Sequence, residues 1–381
     1  MLKGNKGEWS ELYVLISLLA DGQLYQSDIN LDKDPNNLYK VIKGYKDEKD
    51  YSLEFDRGNQ VNLYRIQNNQ QTLISSYTFS ELRDIANTLY NGITSGKGNS
   101  FEILAVAGFL ENAAIQKLKA NSSVKSDIRL RVYDHRLAHE TDLGFSIKSL
   151  LGGNSTLFNT GPGNNFIYSG MNMLSESITD FNKRTYSAPK RISKLTYRIQ
   201  ELEKAGIILD FQDIQSNQLW KNLKMVDGDL PKIIGWALYF RWRNREPSLK
   251  KIAQILEDED PLNFYNNKYS VQKLYEYKLK RFLTEAAMGM TSETPWVGEY
   301  DSFGGVIVAK SDGDILCFHI YDFNIFRNYL INNTIFEQPS TGEDKNNPGS
   351  PGLGKKKYFY GWIYEENSNL NLKLNLQIRF A

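Results

Sequence analysis

Cysteine is almost absent. The single Cys317 excludes an intrachain disulfide, and no Cys/His zinc pattern can be built around it. Histidine is nearly as scarce, at three residues in 381. His135, His139 and Glu140 cluster in sequence, but they do not make the His-Glu-x-x-His helix of a zinc protease. Long apolar runs are also missing. None approaches the roughly 20 residues that cross a bilayer, which excludes a helical membrane protein. The first residues, Met1 to Glu8, hold no apolar stretch of signal-peptide type, so a cytoplasmic protein is expected. Net charge is nearly zero: 46 Lys+Arg against 45 Asp+Glu gives +1. A polyanionic partner must therefore be held by local basic patches. No glycine-rich phosphate loop is present, which argues against a nucleotide or sugar enzyme.

What is present suffices for real cores. Hydrophobic residues make up 41% and charged residues 24%, a globular balance, and the length suggests two or three domains. Glu8 to Leu19 carries Leu12, Leu15, Ile16 and Leu19 at helical spacing and stops at Asp21-Gly22. Tyr51–Phe55 and Leu63–Ile66 read as meander strands. Ser80–Leu89 and Ile103–Lys119 read as helices. Asp127–Asp134 and Phe145–Leu150 alternate as two strands of a wide hairpin around a loop from His135 to Thr141. A Gly/Asn/Ser loop follows. A basic helical stretch then carries helices at Ile192–Leu202, Lys232–Arg243 and Tyr275–Met288. The chain returns to β structure with a hairpin over Gly305–Tyr321 and one last strand over Leu370–Phe380.

The hairpin offers chemistry. Strand residues two apart share a face, so Ser146 and Lys148 point to one side. If Asp134 ends the partner strand, its carboxylate reaches that side too. Phosphodiester hydrolysis needs a hard cation with oxygen ligands. Asp134 would supply one, and the Ile147 carbonyl a second. Lys148 would orient the attacking water or stabilise charge on the phosphate. Glu11 or Glu8, one turn apart on the first helix, would complete the shell. Spacing alone fits an ordinary exposed hairpin as well.

Several motifs together narrow the choice. Gly4-Asn5-Lys6-Gly7-Glu8-Trp9-Ser10-Glu11, Leu143 to Gly152, Ser155 to Asn159, Asn165 to Tyr168 and Leu374 to Phe380 resemble the HpaII family of type II restriction endonucleases. The resemblance runs from the first residues to the last. It implies an α+β or α/β fold with a PD-(D/E)XK nuclease core, a helical basic insertion and a C-terminal β part. It also implies Mg²⁺-dependent cleavage of double-stranded DNA at a short site, CCGG in the family's namesake. Carried over, the catalytic aspartate is Asp134 and the lysine is Lys148. Ser146 stands where the family pattern places an acid, so another acid must compensate. Glu11 is the first choice, Glu8 the alternative, and Asp142 ranks below Asp134. A homodimer suits a palindromic target, and a methyltransferase that protects host DNA is the expected companion. The alternative is a DNA-binding regulator without catalysis.

The expected organisation is a nuclease core at 1–168, a basic DNA-contacting helical region at 169–289, and a β-rich part at 290–381 packing on the core. In the middle region Lys190, Arg191, Lys194 and Arg198 resemble the second helix of a helix-turn-helix, although a charge run also fits a solvated face. Asn159, Asn164 and Asn165 are candidate base readers, and Arg241 and Arg243 candidate guanine readers.

Overall fold

A computed structural model describes residues 2–118, 126–153, 155–170, 174–187, 189–266, 268, 270–299, 304–319, 323–337, 344, 346 and 360–381. It opens with α1 (Lys6–Asp21), β1 (Gln23–Ser27), β2 (Lys33–Asp47), β3 (Ser52–Arg57), β4 (Val61–Gln67) and β5 (Gln70–Tyr77). There follow α2 (Phe79–Ser95), α3 (Ala107–Asn112), β6 (Ile128–Asp134) and β7 (His139–Ser149). Next come β8 (Thr156–Phe158), β9 (Asn165–Gly170), α4 (Ile178–Tyr186), α5 (Lys194–Lys204) and β10 (Asp210–Ile214). Then come α6 (Asn217–Val226), α7 (Leu230–Arg243), α8 (Leu249–Glu259) and α9 (Leu274–Ala287). The chain finishes with β11 (Gly305–Ala309), β12 (Ile315–His319), α10 (Phe323–Asn332), β13 (Thr334–Phe336), β14 (Ile363–Glu366), β15 (Asn369–Asn375) and β16 (Ile378–Phe380). Helices and mixed sheets make this an α+β fold. Among the described residues no helix is long and apolar enough to cross a membrane.

Two compact units result: Met1–Ser155 with Tyr300–Tyr329, and Thr156–Glu299 with Leu330–Ala381. This is not the division into three consecutive blocks expected from composition. Strand pairing is the reason. The β11–β12 hairpin returns to the first unit, where β11 runs parallel to β7 and β12 parallel to β1. The last strands pair instead with β8 and β9.

The first unit holds a nine-stranded sheet in the order β1-β12-β11-β7-β6-β2-β3-β4-β5. β1 also pairs with β2, so pairing closes on itself through β1, β12, β11, β7, β6 and β2. α1 packs against α2, β2 and β7. Its start is fixed by a capping box: the Asn5 side chain accepts the Glu8 N–H, and Glu8 accepts the Asn5 N–H. It ends at Gly22, whose φ of 73° lies in the left-handed region. Trp9, Leu12, Val14, Leu15, Ile16, Leu18 and Leu19 are all buried, so this helix is the centre of a core and not a surface helix. Gly44 lets it approach β2, because a Cβ there would lie 2.6 Å from the Leu15 side chain.

Two expectations change. The helix expected over Ile103–Lys119 stops at Asn112; Lys119 itself lies outside the described residues. Ala114 takes φ 51° and the Ile115 N–H reaches back to the Leu110 carbonyl, a left-handed helix ending with alanine in the glycine position. The single last strand is two. β15 joins the sheet β10-β9-β15-β14, and β16 joins β13-β16-β8. Between them the Leu376 N–H donates to the Asn164 carbonyl, while the Asn164 side chain donates to the Leu376 carbonyl.

Candidate functional site

The hairpin of β6 and β7 sets which side chains meet. Its register runs from Ile128 opposite Phe145 to Asp134 opposite His139. β7 extends further back than its sequence suggested, so only residues 135–138 form the turn. Alternation sends Ile128, Leu130, Val132, Leu143, Phe145 and Ile147 into the core. Arg129, Arg131, Asp142, Ser146 and Lys148 fall on the other face.

Asp127 stands one residue ahead of β6 and shares that second face. Its N–H donates to the Phe145 carbonyl. Its Oδ2 accepts the Ile147 N–H at 2.6 Å and the Ser146 hydroxyl at 3.2 Å. The carboxylate thus continues the ladder where β6 has ended. In a strand the N–H and C=O of one residue point the same way. The Ile147 carbonyl therefore points to the side on which the Asp127 carboxylate sits. Lys148 lies next along β7; burial pushes its ammonium below the usual lysine range, with the Asp127 charge pulling back upward. Glu11, on α1, lines a pocket of about 100 Å³ together with Asp127, Lys46, Tyr45 and Arg129. α1 is held to β7 nearby by a hydrogen bond of 2.8 Å between the Ser10 and Ser149 hydroxyls.

Asp134 is not brought to this cluster. Seven residues from Asp127 is an odd number, so strand alternation turns Asp134 to the opposite face, with Ile128, Leu130 and Val132. Lys148 lies nine residues along β7 from the partner of Asp134, about 30 Å at ~3.4 Å per residue. Both Asp134 oxygens are taken by Arg136: Oδ1 accepts its N–H at 2.9 Å and Nε at 3.2 Å, and Oδ2 accepts Nη2 at 3.1 Å. Burial raises the Asp134 carboxyl, but the Arg136 bonds outweigh it and hold the group below the usual carboxylate range. Glu8 is likewise occupied, in the capping box of α1. Asp142 faces the Lys148 side but forms a two-pronged pair with Arg131 at 2.9 and 2.8 Å, six residues back along β7.

Among the described residues no three His, Cys, Asp or Glu side chains converge on one point. Glu11 and Asp127 line one pocket, and carboxylate and carbonyl oxygens are the donors a hard cation takes while it keeps part of its water. Asp127 was not among the candidates read from the sequence. The parity of the strand was the available signal, since only an odd-numbered position on β6 shares a face with Ser146 and Lys148.

The HpaII restriction endonuclease family matches residues 5–380. A curated relative, the type II restriction enzyme HpaII of Haemophilus parainfluenzae, is 33% identical over 99% of this chain and 98% of its own. This chain belongs to the HpaII restriction endonuclease family. It is thereby a type II site-specific deoxyribonuclease, which removes the non-catalytic regulator as an alternative. No solved structure matches.

The DNA-contact candidates fare unevenly in this family member. Arg198 is fully buried: its Nε donates to Thr185, its Nη1 to the Gly361 carbonyl, and its guanidinium stacks over Trp362. Amphipathic spacing placed it outward, but its fork serves the core of the second unit. Asn164 and Asn165 are also fully buried. Asn164 pins Asn159 and Leu376, and Asn165 bonds Gln215 and Asn375, so neither amide faces a base edge. Arg241 is half-buried and reaches the Phe336 carbonyl. Arg243 is paired with Glu203 at 3.0 Å and Glu259 at 3.6 Å. The Lys194 ammonium sits 3.2 Å above the Tyr186 ring. Lys190, Arg191 and Asn159 are exposed.

Proposed function

We propose that this enzyme is a Mg²⁺-dependent nuclease of the PD-(D/E)XK type that hydrolyses double-stranded DNA at a short, CCGG-like site. The observation that carries the reading is the Asp127 carboxylate bonded to Ile147 N–H on the strand that bears Lys148, with Glu11 in the same pocket. Asp127 takes the role first given to Asp134. Asp127, Glu11 and the Ile147 carbonyl would hold the ion. When bound, Mg²⁺ supplies a Lewis acid beside the scissile phosphate and makes a bound water more acidic.

The chain's own residues do the rest. Lys148 presents its ammonium on the same face as Asp127, where it orients the attacking water and meets charge growing on the phosphate. Ser146 stands at the position of the second acid and donates to Asp127 Oδ2. It therefore positions the aspartate and does not ligate, and Glu11 replaces the missing acid. Lys190, Arg191 and Asn159 remain the exposed candidates for DNA contact in the second unit. The enzyme works as a homodimer on a palindromic site, and a methyltransferase protects host DNA at the same sequence.

Digestion of a plasmid of known sequence with and without Mg²⁺, followed by sequencing of fragment ends, tests this. Discrete fragments with a common CCGG-like end sequence, formed only with Mg²⁺, are expected. Intact DNA in Mg²⁺, or equal cutting in EDTA, would refute it.

A further inference from the structure

Arg129 is the exposed cation nearest the cluster on β6. It lies two residues from Asp127 on the same strand face, about 7 Å along the strand. It lines the same pocket as Asp127 and Glu11. Its side chain is exposed, and among the described residues it forms no salt bridge. Instead its guanidinium lies over the Tyr45 ring, 4.5 Å from the centroid. Tyr45 is the cross-strand partner of Arg129 on β2, and its hydroxyl donates to Asp142 at 3.3 Å. The ring is thus anchored from its far end, and its face holds the guanidinium by a cation–π contact. The next arginine on this face, Arg131, differs: Asp142 holds it with two bonds and cancels its charge.

We infer that Arg129, braced by Tyr45, is a DNA-backbone contact that seats a phosphate neighbouring the scissile one. Duplex DNA is the occupant that fits. An exposed arginine with no salt bridge among the described residues, beside a phosphodiester-cleaving cluster, meets a charge repeating every ~3.4 Å of axis along each strand, so 7 Å is one or two phosphates away. The guanidinium fork matches phosphate oxygens better than an ammonium does. The contact gives register and affinity, and it reads no base.

This inference rests on the nuclease reading, and the test separates the two. Binding is measured by anisotropy on a labelled duplex carrying the sequence recovered from plasmid ends, and on a scrambled duplex. All proteins carry Lys148→Ala so that the DNA stays whole, and salt is varied. The slope of log affinity against log salt should shrink by about 0.9 in Arg129→Ala, equally on both duplexes. Arg129→Lys should keep the slope, which guards against a folding artefact. An unchanged slope in Arg129→Ala, a loss confined to the specific duplex, or an equal loss in Arg129→Lys would overturn the assignment. Failure of the enzyme with Lys148 intact to cut any plasmid would instead refute the nuclease reading.

Discussion

Asp127 and Asp134 bracket one strand, and their surroundings could hardly differ more. Asp127 spends Oδ2 on a main-chain N–H and a serine hydroxyl beside Lys148. Asp134 spends both oxygens on Arg136, next to Tyr39 and His319 at the other end of the hairpin. One carboxylate is oriented and keeps an oxygen for a ligand; the other is neutralised in place. A conspicuous acid at a strand end can thus have both oxygens already committed to a neighbouring cation. What its oxygens already hold decides the matter.

The largest expected effect lies at the Asp127 end. Lys148→Ala should lower single-turnover cleavage by about 10³-fold or more while the protein still binds its site. Wild-type cleavage by that variant would break the comparison at once. At the other end the effect should be on stability. Asp134→Ala strips a buried, charge-assisted network and should cost about 2–3 kcal/mol in a urea titration. Cleavage per folded molecule should hold within a few-fold.

The second unit offers a parallel case. Arg198→Ala should also destabilise by about 2–3 kcal/mol, because Thr185 and the Gly361 carbonyl lose their donor in a buried place. The salt dependence of DNA binding should not change, whereas loss of the exposed Lys190 and Arg191 should reduce it.

Much of the frame was legible beforehand. The first helix, its glycine stop, the two hairpins and the helices around Lys194, Leu230 and Leu274 all follow from periodicity and caps. Lys148 and Glu11 entered as candidates because a family pattern and a helix start point to them. Asp127 was passed over because a run of alternating residues invites attention to its far end, where Asp134 adjoins a polar loop. Parity alone puts Asp127, and not Asp134, on the face of Ser146 and Lys148. Other features have no local signature. Arg198 reads as one more cation on an amphipathic helix, and only the tertiary placement of Trp362 and Gly361 makes it a core residue. The left-handed ending at Ala114 lacks the glycine that would announce it. The break at Leu376-Gln377 is set by Asn164, more than 200 residues away in sequence.

Two smaller effects sharpen the contrast. Ser146→Ala should slow cleavage roughly fivefold, since one hydrogen bond that aims Asp127 is worth about 1 kcal/mol. In acid the Asp134 end should again differ. Its folded carboxyl lies below its unfolded value, so the stability it contributes is complete above about pH 4 and is lost as pH falls through the folded value. Asp134→Asn should flatten that limb of the stability–pH curve and leave its shape near neutrality unchanged.

The most direct measurement compares Asp127→Asn and Asp134→Asn under identical conditions: cleavage of a short duplex in Mg²⁺, with thermal melts alongside. The expected result is a folded, inactive Asp127→Asn protein and a less stable Asp134→Asn protein that cuts at nearly the wild-type rate below its melting temperature. Active Asp127→Asn beside an inactive but folded Asp134→Asn would contradict the assignment of the site to the Asp127 end of the hairpin.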